Sequence, residues 1–392
     1  MKLLVIADDL TGALDTGARF RAKNTLICVM SGDDPGFLRR VPRDTQVLII
    51  DSETRHLPPD AAYRRVYAIA AAAKEAGVPC VDKKTDSALR GNIGSELAAA
   101  RDAFGEKTLH FVPAFPQMNR VTRGGVHYID GVPVAESVFG RDPFEPVRHS
   151  AVADIIGGGE GIRVHDASTD EDLRNIAAKL KNRDELALLA GCAGFAAVLP
   201  ELFGLETAEK RGFVPPDRLL TLCGSINPIT VRQLDAGERA GMHRVRLTPE
   251  QKLAGEWTGS IPLWLEMLEK GHLIIDCGKT FTQEDRARYE QEYGDLRPLI
   301  AKNMGGILKA LLDSGAKAAL MVTGGDTLLA FLEQIQVSEL REISEISPGI
   351  VLAGIEYGGR KYALITKSGG FGGEGLLAEL TEKSSKLCTG GI

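Results

Sequence analysis

The chain has 392 residues, 44% hydrophobic and 26% charged, with a formal net charge of −6. That length exceeds one ordinary core and points to two or three domains. The acidic balance argues against nucleic acid or an anionic membrane as partner, because either favours a basic face.

Taken in order, short β-rich runs alternate with longer helical patterns. In the first half the strands are expected at Leu3–Ala7, Thr25–Met30, Gln46–Asp51, Val78–Lys83, Thr108–Val112, Ile162–His165 and Leu186–Ala190. Helices fit between them at Ala13–Ala22, Asp60–Ala76, Ile93–Phe104 and Glu171–Leu180. This alternation is the pattern of βαβ units and a mostly parallel sheet. One insertion breaks it: Val126–Ile129 and Val132–Ala135 flank Asp130-Gly131, a two-residue hairpin signal. The charged, proline-bearing stretch from Thr207 to Asp217 is the linker. A second series follows, with strands at Leu219–Cys223, Arg244–Leu247, Leu273–Asp276, Ala318–Val322, Ile350–Ile355 and Tyr362–Thr366. Its helices lie near Thr230–Ala240, Pro262–Lys270 and Leu299–Asp313. The fold class is therefore α/β, with two α/β domains, residues 1–211 and 212–392, each holding a mostly parallel sheet flanked by helices. The active site is expected in the cleft between them.

No apolar run approaches the ~20 residues that span a bilayer, and no secretory signal opens the chain. Six scattered cysteines without C-x-x-C spacing read as reduced core residues of a cytoplasmic protein. His and Cys never cluster at zinc-ligand spacing, so no metal bound by the protein alone is expected.

The first strand delivers Asp8 and Asp9 to its carboxyl end, followed by Thr11 and Gly12 at the start of a helix. Ligands of open α/β sheets sit beyond the carboxyl ends of strands, so this paired acid is placed for chemistry. The competing reading is helix capping, for which Asp and Thr are favoured. A cap needs only one such residue. After another strand, Asp82-Lys83-Lys84-Thr85-Asp86-Ser87-Ala88-Leu89-Arg90-Gly91-Asn92 packs cations, an acid and hydroxyls into one loop. Lys84 and Arg90 suit a carboxylate or phosphate, Arg in bidentate fashion, and Asp86 could accept a proton. The competing reading is a solvated loop with Asn92 as helix cap. Asn119, Arg120 and Arg123 add donors after a further strand, and Arg55 and His56 do so after Asp51. A lone His is more often a surface or packing residue, and His56 is set aside as a base.

The second half has three glycine-rich turns at strand ends: Leu222-Cys223-Gly224-Ser225-Ile226-Asn227-Pro228-Ile229-Thr230, Val322-Thr323-Gly324-Gly325-Asp326-Thr327, and Lys367-Ser368-Gly369-Gly370-Phe371-Gly372-Gly373-Glu374-Gly375. Glycine lets backbone approach a ligand, and successive N–H groups favour phosphate oxygens. None is a Walker A loop or a convincing dinucleotide fingerprint. A polar anionic-substrate domain joined to a phosphate-binding domain points to phosphoryl transfer from a nucleotide to a hydroxyl.

The motifs Ala7–Ala13, Lys84–Asn92, Gly224-Ser225, Thr323–Thr327 and Lys367–Gly372 occur in order across nearly the whole length. Together they resemble the four-carbon acid sugar kinases. One departure is Phe115-Pro116-Gln117-Met118-Asn119-Arg120-Val121, where the family commonly has F-P-x-x-G-R-T. The resemblance implies ATP-dependent phosphorylation of the terminal hydroxyl of D-threonate, D-erythronate or 3-oxo-tetronate, with Mg2+ arriving as the ATP complex. It implies that Asp8, Asp9, Arg55, Lys84, Asp86, Arg90 and Arg120 surround the acid, with Asn119 beside them. ATP would be held through Ser225, Gly324, Gly325, Asp326, Thr327, Gly369, Gly370 and Gly372. One of Asp8 and Asp9 is expected to be the catalytic base and the other to orient hydroxyls, with Asp86 as the reserve. The rival readings are an NAD-dependent sugar-acid dehydrogenase and a non-catalytic, two-lobed sugar-acid sensor. Partners are small molecules only, with a homodimer as the candidate assembly.

Overall fold

The computed structural model describes residues 1–20, 24–29, 37–105, 107–142, 145–206, 213–278 and 281–382. The chain divides into two compact units, residues 1–208 and 209–392. The linker expected from Thr207 lies mostly outside the described residues, as do the 211/212 boundary, Cys388 and the ends of two expected elements at Ala22 and Met30.

In the N-terminal unit the strands are β1 (Leu3–Ala7), β2 (Thr25–Val29), β3 (Val47–Asp51), β4 (Val81–Lys84), β5 (Leu109–Val112), β6 (Arg120–Arg123), β7 (Val126–Ile129), β8 (Val132–Pro133), β9 (Ile162–Val164) and β10 (Leu188–Gly191). Helices are α1 (Leu10–Phe20), α2 (Pro59–Glu75), α3 (Ile93–Phe104), α4 (Val152–Ile155), α5 (Asp170–Asn182), α6 (Ala193–Ala196) and α7 (Leu199–Leu202). The main sheet runs β2-β3-β1-β4-β10-β5-β9, and every pairing is parallel. A parallel strand covered on both faces needs a continuous apolar run, and all five residues of β1 are buried. Residues of α2 and α3, among them Val66, Ile69 and Leu97, close the core over Leu4, Ile6, Leu48 and Phe111. The hairpin insertion forms as β6-β7-β8, with Asp130 and Gly131 at φ of 50° and 81° between the last two strands. The strand expected from Val78 begins only at Val81 and ends at Lys84, one residue nearer the polar loop.

From β1 the chain passes to β2 and β3 on one side of the sheet, then crosses to β4 on the other. The strand order therefore reverses at the β1/β4 boundary, the position where open α/β sheets bind ligands. Asp8, Asp9 and the Thr85–Asn92 loop leave the sheet there.

The C-terminal unit has β11 (Leu219–Cys223), β12 (His243–Arg246), β13 (Leu273–Asp276), β14 (Ala319–Thr323), β15 (Glu339–Ser347), β16 (Ile350–Tyr357) and β17 (Arg360–Lys367). Its helices are α8 (Pro228–Arg239), α9 (Ile261–Lys270), α10 (Gln283–Tyr293), α11 (Leu296–Asp313), α12 (Gly325–Gln334) and α13 (Leu376–Thr381). Strands β12-β13-β11-β14-β17 are parallel, whereas β16 and β15 continue the sheet antiparallel. The order reverses between β11 and β14, so the first two glycine turns occupy this unit's own switch point, and the third lies at the next strand, β17. Among the described residues, no helix is long and apolar enough to cross a membrane.

Candidate active site

Arg55 organises the acids at the β1 terminus. Its Nε and Nη2 lie 2.8 and 2.7 Å from Asp8 Oδ2, and its Nη1 lies 2.6 Å from Asp9 Oδ2. The Asp8 carbonyl in turn accepts the backbone N–H groups of Thr54 and Arg55, which fixes the loop that carries the guanidinium. Asn92 secures the same loop, donating to the carbonyls of Thr54, Arg55 and Leu57. It makes no side-chain cap on α3, so its amide supports the Arg55 loop instead.

The two aspartates differ. Asp9 caps α1: its Oδ1 accepts the Gly12 N–H at 2.9 Å, and its Oδ2 accepts the Thr11 hydroxyl at 2.7 Å. Asp8 is 2% exposed, and its Oδ1 has no hydrogen-bond partner among the described residues. Lys84 Nζ lies 4.0 Å from that oxygen. Lys84 passes close to α1, where a Cβ on residue 12 would come within 2.5 Å of Asp9 Oδ1 and 2.7 Å of Lys84 Nζ, so a larger residue there would displace these two side chains.

Asp86 joins from the β4 loop. Arg90 binds it in bidentate fashion, Nε to Oδ2 at 2.8 Å and Nη2 to Oδ1 at 3.1 Å, and Arg55 Nη2 lies 3.9 Å away. Arg90 and Arg120 both stand 5.2 Å from the Phe139 ring centroid, and Arg120 donates to the Ser87 hydroxyl. Asn119 adopts the left-handed conformation at φ 52°, with its carbonyl bound to Asp130 in the hairpin base. Its side chain is tied to the rest of the cluster by no contact described above. His56 pairs with Glu145 instead.

Charge follows this geometry. Burial opposes ionisation of Asp86, but Arg90 and Arg55 outweigh it and hold the carboxyl well below its usual range. Burial likewise opposes the Asp9 carboxylate, and Arg55 and Lys84 bring it below its usual value. Burial disfavours the Arg55 cation, yet Asp8 and Asp9 raise its pKa well above normal, so it stays charged. Behind them, burial and the neighbouring Glu53 push Asp51 well upward, and Glu53 Oε1 accepts the Leu10 N–H at 3.2 Å. Glu53 lies in the polar stretch after Asp51 at φ 44°, and its contact with the start of α1 is a tertiary one that the sequence does not assign.

In the C-terminal unit the glycine turns meet. A Cβ on Gly369 would fall 2.6 Å from Ser225 Oγ, and one on Gly224 would collide with the Thr327 hydroxyl. Backbone bonds join the turns as well: Gly224 N–H to the Thr323 carbonyl at 3.0 Å, and Gly324 N–H to the Lys367 carbonyl at 3.4 Å. Gly325 opens α12, whose first turn carries Asp326 and Thr327. Asp326 is held by Arg297 Nε and Nη2 at 2.7 and 2.9 Å. Thus Ser225, Gly324, Gly325, Thr327 and Gly369 come together at neighbouring strand ends, where backbone N–H groups and the α12 N-terminus favour an anion. Gly370 and Gly372 continue the third turn. Sequence reasoning missed Arg297 and Gln233, which lie on helices with no local sign of a ligand, while Thr230 stood in the first glycine-rich stretch without a role of its own.

The chain matches the model of a sugar-binding N-terminal domain over residues 3–159 and that of a nucleotide-binding C-terminal domain over residues 220–377. It is 30% identical to the D-threonate kinase of Salmonella typhimurium, with 97% of each chain covered. It is 26% identical to the D-erythronate kinase of Heliobacterium modesticaldum, over 94% of this chain and 93% of that one. Its fold is similar to the crystal structure of a Haemophilus influenzae protein at 18% identity, with a TM-score of 0.70 and coverage of 96% and 98%.

Proposed function

The chain belongs to the four-carbon acid sugar kinase family, and from that premise we propose that it transfers the γ-phosphoryl group of ATP to the terminal hydroxyl of a four-carbon sugar acid, D-threonate first among the candidates. The observation that carries the reading is Asp8, a buried carboxylate at a sheet switch point with one oxygen anchored by Arg55 and the other without a hydrogen-bond partner among the described residues.

Asp8 Oδ1 takes the proton from the attacking hydroxyl while Arg55 keeps the carboxylate oriented. Asp9, with both oxygens engaged, fixes the start of α1 and one arm of Arg55. Lys84, 4.0 Å from the Asp8 oxygen, helps to hold the substrate's negative groups. Arg90 and Arg120, converging on Phe139, receive the acid's carboxylate. Asp86, paired with Arg90, positions that guanidinium and is a poor base. In the C-terminal unit Ser225, Gly324–Thr327 and Gly369–Gly372 hold the nucleotide through backbone N–H groups and hydroxyls. Asp326, oriented by Arg297, is the carboxylate of these turns that would face Mg2+ arriving as the ATP complex, which would supply charge neutralisation at the phosphates. Free buried thiols suit a cytoplasmic setting.

The test is an ADP-release assay of the full chain with ATP, Mg2+ and, separately, D-threonate, D-erythronate and 3-oxo-tetronate. Turnover with at least one acid supports the kinase. Reduction of NAD in the presence of the same acids, without ADP release, replaces it with the dehydrogenase, and ligand-induced stabilisation without any turnover replaces it with the sensor.

A further inference from the structure

The third glycine turn has its carbonyl groups collected from below. Lys367, at the end of β17 and 2% exposed, donates from Nζ to the carbonyls of Ser368 at 3.1 Å and Gly369 at 3.2 Å, and to Thr230 Oγ1 at 3.0 Å. The Thr230 hydroxyl in turn donates to the Gly369 carbonyl at 2.7 Å. One turn along α8, Gln233 Nε2 lies 2.9, 3.0 and 2.9 Å from the carbonyls of Phe371, Gly372 and Gly373. Thr230 and Gln233 are each 1% exposed. The Gln233 oxygen has no hydrogen-bond partner among the described residues. Burying an unsatisfied amide oxygen is costly, so this side chain is retained for its donors.

Phosphate recognition by a glycine turn requires its N–H groups to face the ligand, and that requires its carbonyls to face elsewhere. A glycine-rich turn has little intrinsic preference between these orientations. We propose that Lys367, Thr230 and Gln233 are positioning residues for the nucleotide: they draw the carbonyls of Ser368, Gly369, Phe371, Gly372 and Gly373 inward and so turn the amides of the turn other than that of Phe371, which bonds the Ser368 carbonyl, toward the phosphates. The proposal rests on the nucleotide reading of the glycine turns. Lys367 Nζ is directed at the turn's own carbonyls and at Thr230, which is a supporting role beneath the turn.

Three variants of the full chain test it. Thr230→Val is nearly isosteric and removes the relay hydroxyl; Gln233→Glu keeps shape and removes the donors; Lys367→Met removes the ammonium. ATP affinity is read by calorimetry, and KM for ATP and for the sugar acid by turnover. Each variant is expected to weaken ATP about tenfold or more, the scale of a lost hydrogen bond from a buried or charged donor. The acid's KM should stay within about twofold, because the N-terminal unit is unaltered. Folded variants with unchanged ATP affinity overturn the proposal, as does a parallel loss of thermal stability and of both substrates, which marks a merely structural role. Thr230→Val keeps the test decisive if the lysine variant fails to fold. Failure of the wild-type chain to bind ATP would instead overturn the nucleotide reading itself.

Discussion

Replacing Asp8 with Asn should separate the two adjacent aspartates by their chemistry. In the native chain Asp8 Oδ2 accepts from Arg55 Nε and Nη2 at 2.8 and 2.7 Å. An asparagine oxygen can keep those contacts, so the loop and the fold persist while the proton acceptor at Oδ1 is lost. General-base catalysis contributes about 10²–10⁴-fold, and kcat should fall by that order with both KM values changed only a few-fold. Asp9→Asn is the mirror case. Its oxygens accept from Gly12, Thr11 and Arg55, so an amide must forfeit part of the cap or of the ion pair. Loss of an N-cap costs about 1 kcal/mol, and in a domain of this size each kcal/mol shifts Tm by about 2–4 °C. ADP-release kinetics and thermal melts of both variants, run side by side, give the answer. If Asp8→Asn keeps near-normal turnover while Asp9→Asn abolishes it at unchanged Tm, the assignment of Asp8 as base is wrong.

Other outcomes follow from the same geometry. Gly369→Ala places a Cβ 2.6 Å from Ser225 Oγ; ATP affinity measured by calorimetry should drop at least tenfold while sugar-acid binding holds. Arg90→Ala removes one partner of a desolvated pair, a loss of about 2–5 kcal/mol, so titration should show the acid's Kd raised by tens to thousands of fold with ATP spared. Burial lowers Lys367 to about 8, and the nearby Cys223 thiol, raised by burial to about 12, stays neutral across that range. KM for ATP should therefore climb as pH rises through about 8. Because the folded chain holds that proton less tightly than the unfolded chain, deprotonation above pH 8 adds to stability, and a rising KM at undiminished Tm excludes unfolding as its cause.

Much of the architecture was written in local patterns. Leu3–Ala7 reads as a doubly covered strand because parallel strands need an unbroken apolar run, and Asp130-Gly131 reads as a hairpin because both residues tolerate positive φ. Other elements carried no such signal. Helix α10 buries none of its residues, so its sequence lacks the apolar stripe by which helices are recognised. Strand β15 reads Glu-Leu-Arg-Glu-Ile-Ser-Glu-Ile-Ser, with charges breaking the apolar alternation, and was passed over. Within the site, the sequence brought Asp8 and Asp9 to attention as a pair, but the division between them depends on where α1 begins. Arg90 and Asp86 stand four apart in a loop, and their mutual pairing is a tertiary fact. Thr230 and Gln233 bond carbonyls of a turn 139 and 138 residues further along the chain, which no spacing reveals, and the inward direction of Lys367 beside that turn is a tertiary fact as well.

The most direct measurement is identification of the product. The full chain, ATP, Mg2+ and D-threonate should give ADP and a phosphate monoester in equal amounts, with phosphorus-coupled NMR placing the phosphate on the terminal carbon of the acid. ADP formed with free phosphate and an unmodified acid, or no ADP with D-threonate, D-erythronate or 3-oxo-tetronate, would contradict the account.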